Sequence, residues 1–168
     1  MRRILLAALA AWTLAACGGS GAVALPTTSP RGFPLGDLTI ARAGHGALQL
    51  TVEIAGNSAA WEKGLMGVKS LSKTEGMAFV FPQQENLGFW MKDTLIPLDI
   101  AFADAQGHVV DVQHMVPCTA DPCSIYYAAQ PYSMALEAGS GVLTGASVRA
   151  GDLVSLRRRA HATPSPSR

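Results

Sequence analysis

The chain has 168 residues, of which 49% are hydrophobic, and its formal net charge at pH 7 is +1 from 13 Lys and Arg against 12 Asp and Glu. This length fits one domain with a substantial core. The nearly balanced charge argues against the positive field with which proteins attract nucleic acid, so we expect no nucleic-acid partner.

The first seventeen residues have the pattern of a bacterial secretory signal. Arg2 and Arg3 precede a mainly apolar run from Ile4 to Ala16, and Cys17 follows directly. The run of 13 residues is too short to span a bilayer, which needs ~20. Its Leu-Ala-Ala-Cys ending resembles a lipobox, in which the cysteine is lipidated and becomes the new N-terminus. We therefore predict that residues 1–16 are removed, and that the exported protein is anchored to a membrane on the extracytoplasmic side through Cys17.

Both ends of the mature chain have compositions that disfavour packing. Residues 17–36 combine the lipidated cysteine with a Gly-Gly-Ser-Gly stretch and three prolines, which is typical of a flexible tether. Residues 157–168 begin with three arginines and continue in Ala, Thr, Ser and Pro, which predicts a disordered basic tail. This tail is either solvated or in contact with anionic headgroups. The folded domain is then predicted to occupy residues 37–156.

Short strands dominate the predicted domain. Apolar and polar residues alternate from Leu48 to Ile54, so that one face packs and the other meets water. Asn57 and Ser58 are good N-caps for a short helix over Ser58–Met66. A turn at Asp104–Gly107 predicts a hairpin. The other predicted strands are Met77–Phe81, Gly88–Met91, Leu98–Phe102, His108–Met115, Ser133–Ala138 and Asp152–Leu156. The pattern predicts a mainly β fold, a compact single-domain sandwich or barrel of about seven short strands with one short helix.

The three cysteines have two different roles. Cys17 belongs to the lipid anchor, which leaves Cys118 and Cys123 as a pair with four residues between them. In an oxidising compartment this spacing favours a structural disulfide over the alternatives, a redox pair or a metal clip. His114 and Met115 lie near this pair, but the methionines of the chain fit core packing better than a copper site. We expect no metal and no other cofactor.

Several sequence blocks come in the order of one protein family. They are Gly64-Leu65-Met66, Gly76-Met77-Ala78-Phe79-Val80-Phe81, Phe89-Trp90-Met91-Lys92-Asp93-Thr94-Leu95-Ile96-Pro97-Leu98-Asp99-Ile100, Ala135-Leu136-Glu137-Ala138-Gly139 and Gly151-Asp152. On these blocks the chain resembles domain-of-unknown-function family 192 over roughly Leu48 to Leu156. The resemblance implies a compact, mainly β fold and no established activity. The family more often has Asn where this chain has Asp93, and an aromatic residue and Arg where it has Gly67 and Val68.

The tryptophan block supplies the candidate ligand-binding residues. If Gly88–Lys92 is a strand, Trp90 and Lys92 share a face, and an aromatic ring beside an ammonium suits a sugar or an anionic small molecule. We predict that these two residues line one polar pocket with Asp93, Asp99 and Glu137. Lys92 is a candidate partner for Glu137 if that face of its strand is covered, whereas on an open face Glu137 is ordinary surface.

Structural roles would also account for these residue types. Trp90 would then belong to the core, Lys92 would pair with a carboxylate, and Asp99 would cap a turn. The functional hypothesis is a membrane-tethered lipoprotein that binds a small polar ligand or an envelope protein in an accessory role. One alternative is an enzyme that acts on an envelope saccharide through Asp99, Glu137 and Lys92. The other is a structural component of the envelope.

Overall fold

The computed structural model of the protein describes residues 25–160. The predicted signal segment, the lipidation site Cys17, the first part of the tether and residues 161–168 of the predicted tail lie outside the described residues. Among the described residues, no helix is long and apolar enough to cross a membrane.

Strands are the main regular structure of the described chain. They are β1 (Leu35–Ala41), β2 (Leu48–Ala55), β3 (Glu75–Glu85), β4 (Phe89–Trp90), β5 (Leu98–Ala103), β6 (Val109–Met115), β7 (Ile125–Tyr126), β8 (Tyr132–Gly139) and β9 (Leu153–Arg158), with one helix, α1 (Ser58–Lys63). Seven strands form one curled sheet in the order β6-β5-β8-β3-β2-β1-β9, while β4 and β7 pair separately. Among the strands of residues 25–160, only β2 and β3 run parallel. The predicted mainly β domain with one short helix is confirmed.

The curled sheet brings its two edges together at one end. The amide of Val154 in β9 donates to the carbonyl of Gly107 at 2.8 Å. The amide of Val109 in β6 donates to the carbonyl of Asp152, also at 2.8 Å. Gly107 has a φ of 87°, and a Cβ at this position would lie 2.6 Å from the carbonyl oxygen of Val154. Only glycine permits both this backbone conformation and this approach.

Apolar side chains cover both faces of the sheet. One cluster fills the concave interior and the other lies beneath α1 and the β4–β7 ribbon. β3 contributes to both clusters, with Ala78 in the first and Met77 and Phe79 in the second. β5 is buried along its whole length. Successive residues of β5 lie on opposite faces of the sheet, and both faces are covered.

The helix is shorter than predicted. The side chain of Asn57 caps its first turn by accepting from the amide of Ala60 at 3.0 Å. α1 ends at Lys63 rather than at Met66, because Gly64 turns the chain with φ 41° and ψ −136°. Trp61 fixes the helix on the sheet: its ring centroid lies 4.8 Å from that of Phe81.

The sheet extends beyond the predicted domain at both ends. β1 begins at Leu35, inside the predicted tether, and β9 ends at Arg158, inside the predicted basic tail. Arg159 donates to a carboxylate oxygen of Asp37 from Nη2 at 2.6 Å and from Nε at 2.9 Å. Arg31 pairs with Glu53 at 2.6 Å. Strand pairing and ion pairs thus order described segments for which composition predicted flexibility.

Candidate functional site

Glu137 is a buried acidic residue that faces a pocket. In β8 it lies opposite Met77 of β3 and Ile100 of β5, on the face covered by α1 and the β4–β7 ribbon. The residue is only 4% exposed, and its side chain makes no hydrogen bond or ion pair with another residue of the described range 25–160. Burial raises the pKa of its carboxyl group to about 8. An acid of this kind is mostly protonated at neutral pH.

The pocket beside Glu137 is narrow and has both aromatic and polar walls. Its cavity has a volume of about 30 Å³, which is enough for one or two water molecules or for one small group of a ligand. Four aromatic side chains line it: Trp61, Phe79, Phe89 and Trp90. Thr94 adds a hydroxyl group, and the remaining lining residues are Glu62, Lys63, Gly64, Leu65 and Met66.

Backbone contacts bring two sequence blocks together around this pocket. The turn at Gly64 leads into Leu65, which is buried, and into Met66 on the pocket wall. Beyond them, the amide of Gly67 donates to the carbonyl of Asp93 at 2.9 Å. The Gly-Leu-Met block and the tryptophan block, far apart in the chain, therefore meet at one site.

Trp90 and Lys92 are neighbours, as predicted, but not on a common strand face. β4 ends at Trp90, and Lys92 lies just beyond it with its Nζ 5.5 Å from the centroid of the tryptophan ring. Trp90 is 48% exposed and so is not a core residue. Among the described residues Lys92 forms no ion pair with Glu137 or with another carboxylate. The indole therefore spans the distance between the pocket and the surface.

Asp93 contributes its backbone to this region. It is exposed and has a φ of 54°, in the left-handed region. Its carbonyl holds Gly67, while its side chain makes no hydrogen bond within the described part of the chain. Nothing in this geometry gives the Asp93 carboxylate a role in the pocket.

Asp99 lies on the opposite face of the sheet from Glu137. It pairs with Ala138 across β5 and β8, one position from Glu137, so the two carboxylates point in opposite directions. Its Oδ2 accepts hydrogen bonds from the amides of Leu143 (3.1 Å) and Thr144 (3.0 Å) and from the Thr144 hydroxyl (2.9 Å). Its Oδ1 lies 3.1 Å from His114 Nδ1. The predicted five-residue pocket is therefore wrong in including Asp99, whereas the turn-capping role is correct.

Hydrogen bonds dominate the electrostatics of Asp99. Burial by itself would raise the pKa of this carboxyl group, but the bonds from Thr144, His114 and Leu143 outweigh burial and hold the pKa below its usual value. Asp99 is thus a charged structural centre that fixes the loop after β8.

Nine of the eleven residues that line the pocket were not predicted as site residues. Thr94 and Met66 belong to the sequence blocks that carry the family resemblance, and this signal could have identified them. Phe79 also lies in one of these blocks, whereas Trp61 shows only an apolar pattern, which is the same for a pocket wall and for a core.

The predicted disulfide is present between Cys118 and Cys123, with Cα atoms 5.4 Å apart. It closes the loop before β7, the strand that pairs with β4 and so supports Trp90. Asp121 lies close to both sulfur atoms, but oxidised cysteines offer no thiolate to a metal.

A curled β-sheet covered on one face by a short helix and a two-stranded ribbon, with a buried acid beneath them, defines the structural class. The model of DUF192, an uncharacterized ACR, matches residues 39–156. The chain belongs to the DUF192 family.

Solved structures share this fold. A protein of unknown function from Novosphingobium aromaticivorans DSM 12444 is similar with a TM-score of 0.73 at 30% identity, over 79% of this chain and 94% of that one. A putative transcription regulator from Sinorhizobium meliloti 1021 is similar with a TM-score of 0.69 at 26% identity, over 74% of this chain and 95% of that one. No curated protein matches the sequence significantly.

Proposed function

We propose that this protein is an exported lipoprotein whose β domain binds a small polar ligand at the pocket between Trp90 and Glu137. The observation that carries the proposal is the carboxyl group of Glu137, buried without a partner among the described residues at a pocket lined by aromatic rings. By binding this ligand, the protein would have an accessory role in the cell envelope.

The cost of burying Glu137 supports a binding role. A buried polar group without a hydrogen bond costs about 1–3 kcal/mol of stability. A protein keeps such a group when a ligand supplies the missing partner, and perturbed acids accordingly cluster at functional sites. Asp99, which the same sheet buries with four hydrogen-bonding contacts, shows the fully satisfied alternative.

Two observations support a location outside the cytoplasm. The N-terminal sequence has the charged, apolar and lipobox regions of a lipoprotein signal, and the domain contains a disulfide, which persists in oxidising compartments. Leu25, the first described residue, follows Cys17 by eight positions, which corresponds to at most about 29 Å of extended chain. Lipidation at Cys17 would thus hold the start of the described domain close to a membrane surface.

The geometry favours binding over saccharide chemistry. A glycosidase needs two carboxyl groups about 5–10 Å apart on either side of one bond. Asp99 and Glu137 project from opposite faces of the sheet, and Asp99 is occupied by hydrogen bonds. The paired-carboxylate mechanism therefore lacks its geometry in this fold.

A ligand screen by thermal shift tests the binding proposal. The mature chain with Cys17→Ser, oxidised, is heated with sugars, cell-wall fragments, amines and small anions. A ligand at about 100 times its Kd should raise stability by ~2.7 kcal/mol, or several degrees in Tm. The shift should disappear in Glu137→Gln and persist in Glu75→Gln, which removes an exposed carboxylate outside the pocket. No shift with any class would contradict ligand binding.

Cell fractionation tests the predicted membrane location separately. The wild-type protein should partition with membranes and carry acyl groups on Cys17 by mass spectrometry. Cys17→Ser should release it into the soluble extracytoplasmic fraction. Membrane association that is unchanged in Cys17→Ser would refute an anchor at this residue.

A further inference from the structure

The composition of the pocket narrows the chemistry of its ligand. We infer that the pocket binds a primary ammonium group, with the carboxylate of Glu137 as its counter-ion and the surrounding aromatic rings as its walls. This inference rests on the proposed function, because it names the ligand class of the same site.

The aromatic walls favour a cation. Trp61, Phe79, Phe89 and Trp90 all line the cavity, and the faces of aromatic rings carry negative electrostatic potential that attracts ammonium groups. Phe79 and Phe89 meet edge to face, with centroids 5.0 Å apart. One acid among several rings is the composition that proteins use to bind organic cations.

The polar groups fit the donors of an ammonium group. Such a group has three N–H donors and no acceptor. Glu137 has no competing partner in the described chain, and its acid would release its proton to solvent when the ammonium group binds, so that the carboxylate oxygens accept from the ligand. Thr94, only 7% exposed, offers a hydroxyl oxygen on the same cavity. An anion would instead meet the acid and the ring faces, so the interior of the pocket disfavours the anionic ligand first expected beside Lys92.

The size of the cavity selects a primary ammonium. A space of about 30 Å³ holds a group about as large as one water molecule. An –NH₃⁺ group has that size, whereas a trimethylammonium group needs several times the space. The alkyl chain of the ligand would pass the exposed ring of Trp90.

The other charges lie at the rim of the pocket. Glu62 and Lys63 of α1 line the opening. The Nζ atom of Lys63 lies over the ring of Phe33, 5.3 Å from its centroid. Lys92 rests on Trp90. The adjacent strands β3 and β5 present Met77 and Ile100 to Glu137, and neither carries a charge. Glu137 is therefore the acidic group inside the pocket.

A matched pair of probes tests the inference: n-butylamine and the neutral n-butanol, measured by calorimetry on the Cys17→Ser chain. We expect butylamine to bind and butanol not to bind. Glu137→Gln should weaken butylamine by about tenfold or more, the range of a charge-assisted hydrogen bond. Thr94→Val should weaken it less. Glu75→Gln, which removes an exposed carboxylate outside the pocket, should leave it within about twofold, and tetramethylammonium should not compete.

The possible outcomes separate this inference from the proposed function. Equal binding of butanol, or full affinity in Glu137→Gln, would overturn the ammonium assignment and leave a neutral-ligand pocket. Failure of both probes while a sugar or an anion gives a Glu137-dependent thermal shift would also overturn the assignment, and the binding function would stand. Failure of every probe class would overturn both.

Two sources of a primary ammonium exist near a membrane, an amine-bearing peptide and a lipid headgroup. The Cys17→Ser chain is tested with an Nα-acetyl-lysine amide and with vesicles of phosphatidylethanolamine against phosphatidylcholine. Binding to the lysine derivative alone identifies a soluble or peptide amine. Flotation with phosphatidylethanolamine vesicles, lost in Glu137→Gln, identifies the headgroup. Preference for phosphatidylcholine would contradict the size argument.

Discussion

Asp93 shows how the backbone determines which side chain suits one position. Its φ of 54° places it in the left-handed region, which glycine adopts freely and asparagine adopts more readily than most residues. Its side chain makes no hydrogen bond among the described residues, and its carbonyl holds Gly67. The Asn expected at this position in the family therefore has a conformational explanation that requires no ligand.

Replacing Asp93 should stabilise the protein. We expect Asp93→Gly to raise the free energy of unfolding by up to about 1 kcal/mol and Asp93→Asn by a few tenths, because both relieve left-handed strain. Urea denaturation at pH 7 measures the change. Lys92→Gly is the matched control: its backbone lies outside that region, so glycine there should lower stability. Equal losses in both glycine variants would contradict the strain argument.

Of the two carboxylates in the tryptophan block, Asp93 and Asp99, the buried Asp99 should be the costlier to replace. Asp99→Asn keeps the volume but places an NH₂ group against N–H donors, and we expect a loss of about 2–4 kcal/mol at pH 7. Because folding lowers the pKa of Asp99, its contribution is present above the ordinary carboxyl pKa and is lost as pH falls through the folded value. The difference between wild type and variant in urea should therefore shrink from pH 7 to pH 3. A constant difference would show that charge is not the cause.

Among the secondary structure elements, β9 depends on an ion pair beyond its last residue. Arg159 holds Asp37 of β1, and this contact is the main reason that the pKa of Asp37 is lowered. We expect Arg159→Ala to lower the free energy of unfolding by about 1 kcal/mol or less. Arg158→Ala, next to it and without an ion pair in the described chain, should have no measurable effect. The loss should fade below pH 4, where Asp37 becomes protonated.

The strands differ in how well the sequence predicts them. Leu48–Ile54 matches β2 to within one residue, because its alternation is long and one of its faces is buried. β7 has two residues and therefore no period to detect. β1 alternates as well, but three prolines and several glycines precede it, and composition pointed to a tether there. What orders this segment is pairing with β2 and β9, partners that are distant in the chain.

The site was predictable to the extent that local sequence defines it. Trp90 and Glu137 were expected in one pocket, and both line it. Asp99 was expected there too, but the side of the sheet on which a residue lies depends on strand register. A shift of one position moves a side chain to the other face. Register between β5 and β8, about 35 residues apart, follows from tertiary packing rather than from local pattern.

Across the whole molecule, the acids with shifted pKa values act on stability in opposite pH ranges. Asp37 and Asp99 have lowered pKa values and stabilise the fold above pH 4, whereas Glu137 has a raised pKa. Between about pH 4.5 and 8 the folded state holds a proton on Glu137 that the unfolded state releases, so this group opposes folding increasingly as pH rises. Stability should therefore be greatest in mildly acidic solution.

Glu137→Gln should remove this loss of stability at alkaline pH. A neutral amide replaces the neutral acid with the same shape, so we expect the variant to match wild type near pH 5. Burial raises the pKa of Glu137 to about 8, so at pH 8.5 the folded wild type must hold a buried carboxylate that the unfolded chain exposes to water. The variant carries no such charge and should be more stable by up to about 4 kcal/mol. Urea denaturation at pH 5, 7 and 8.5 measures the difference, with Glu62→Gln as the exposed control. A gap between wild type and Glu137→Gln that does not widen with pH would mean that Glu137 ionises as freely in the folded chain as in the unfolded one. The site would then be wetter than its burial indicates.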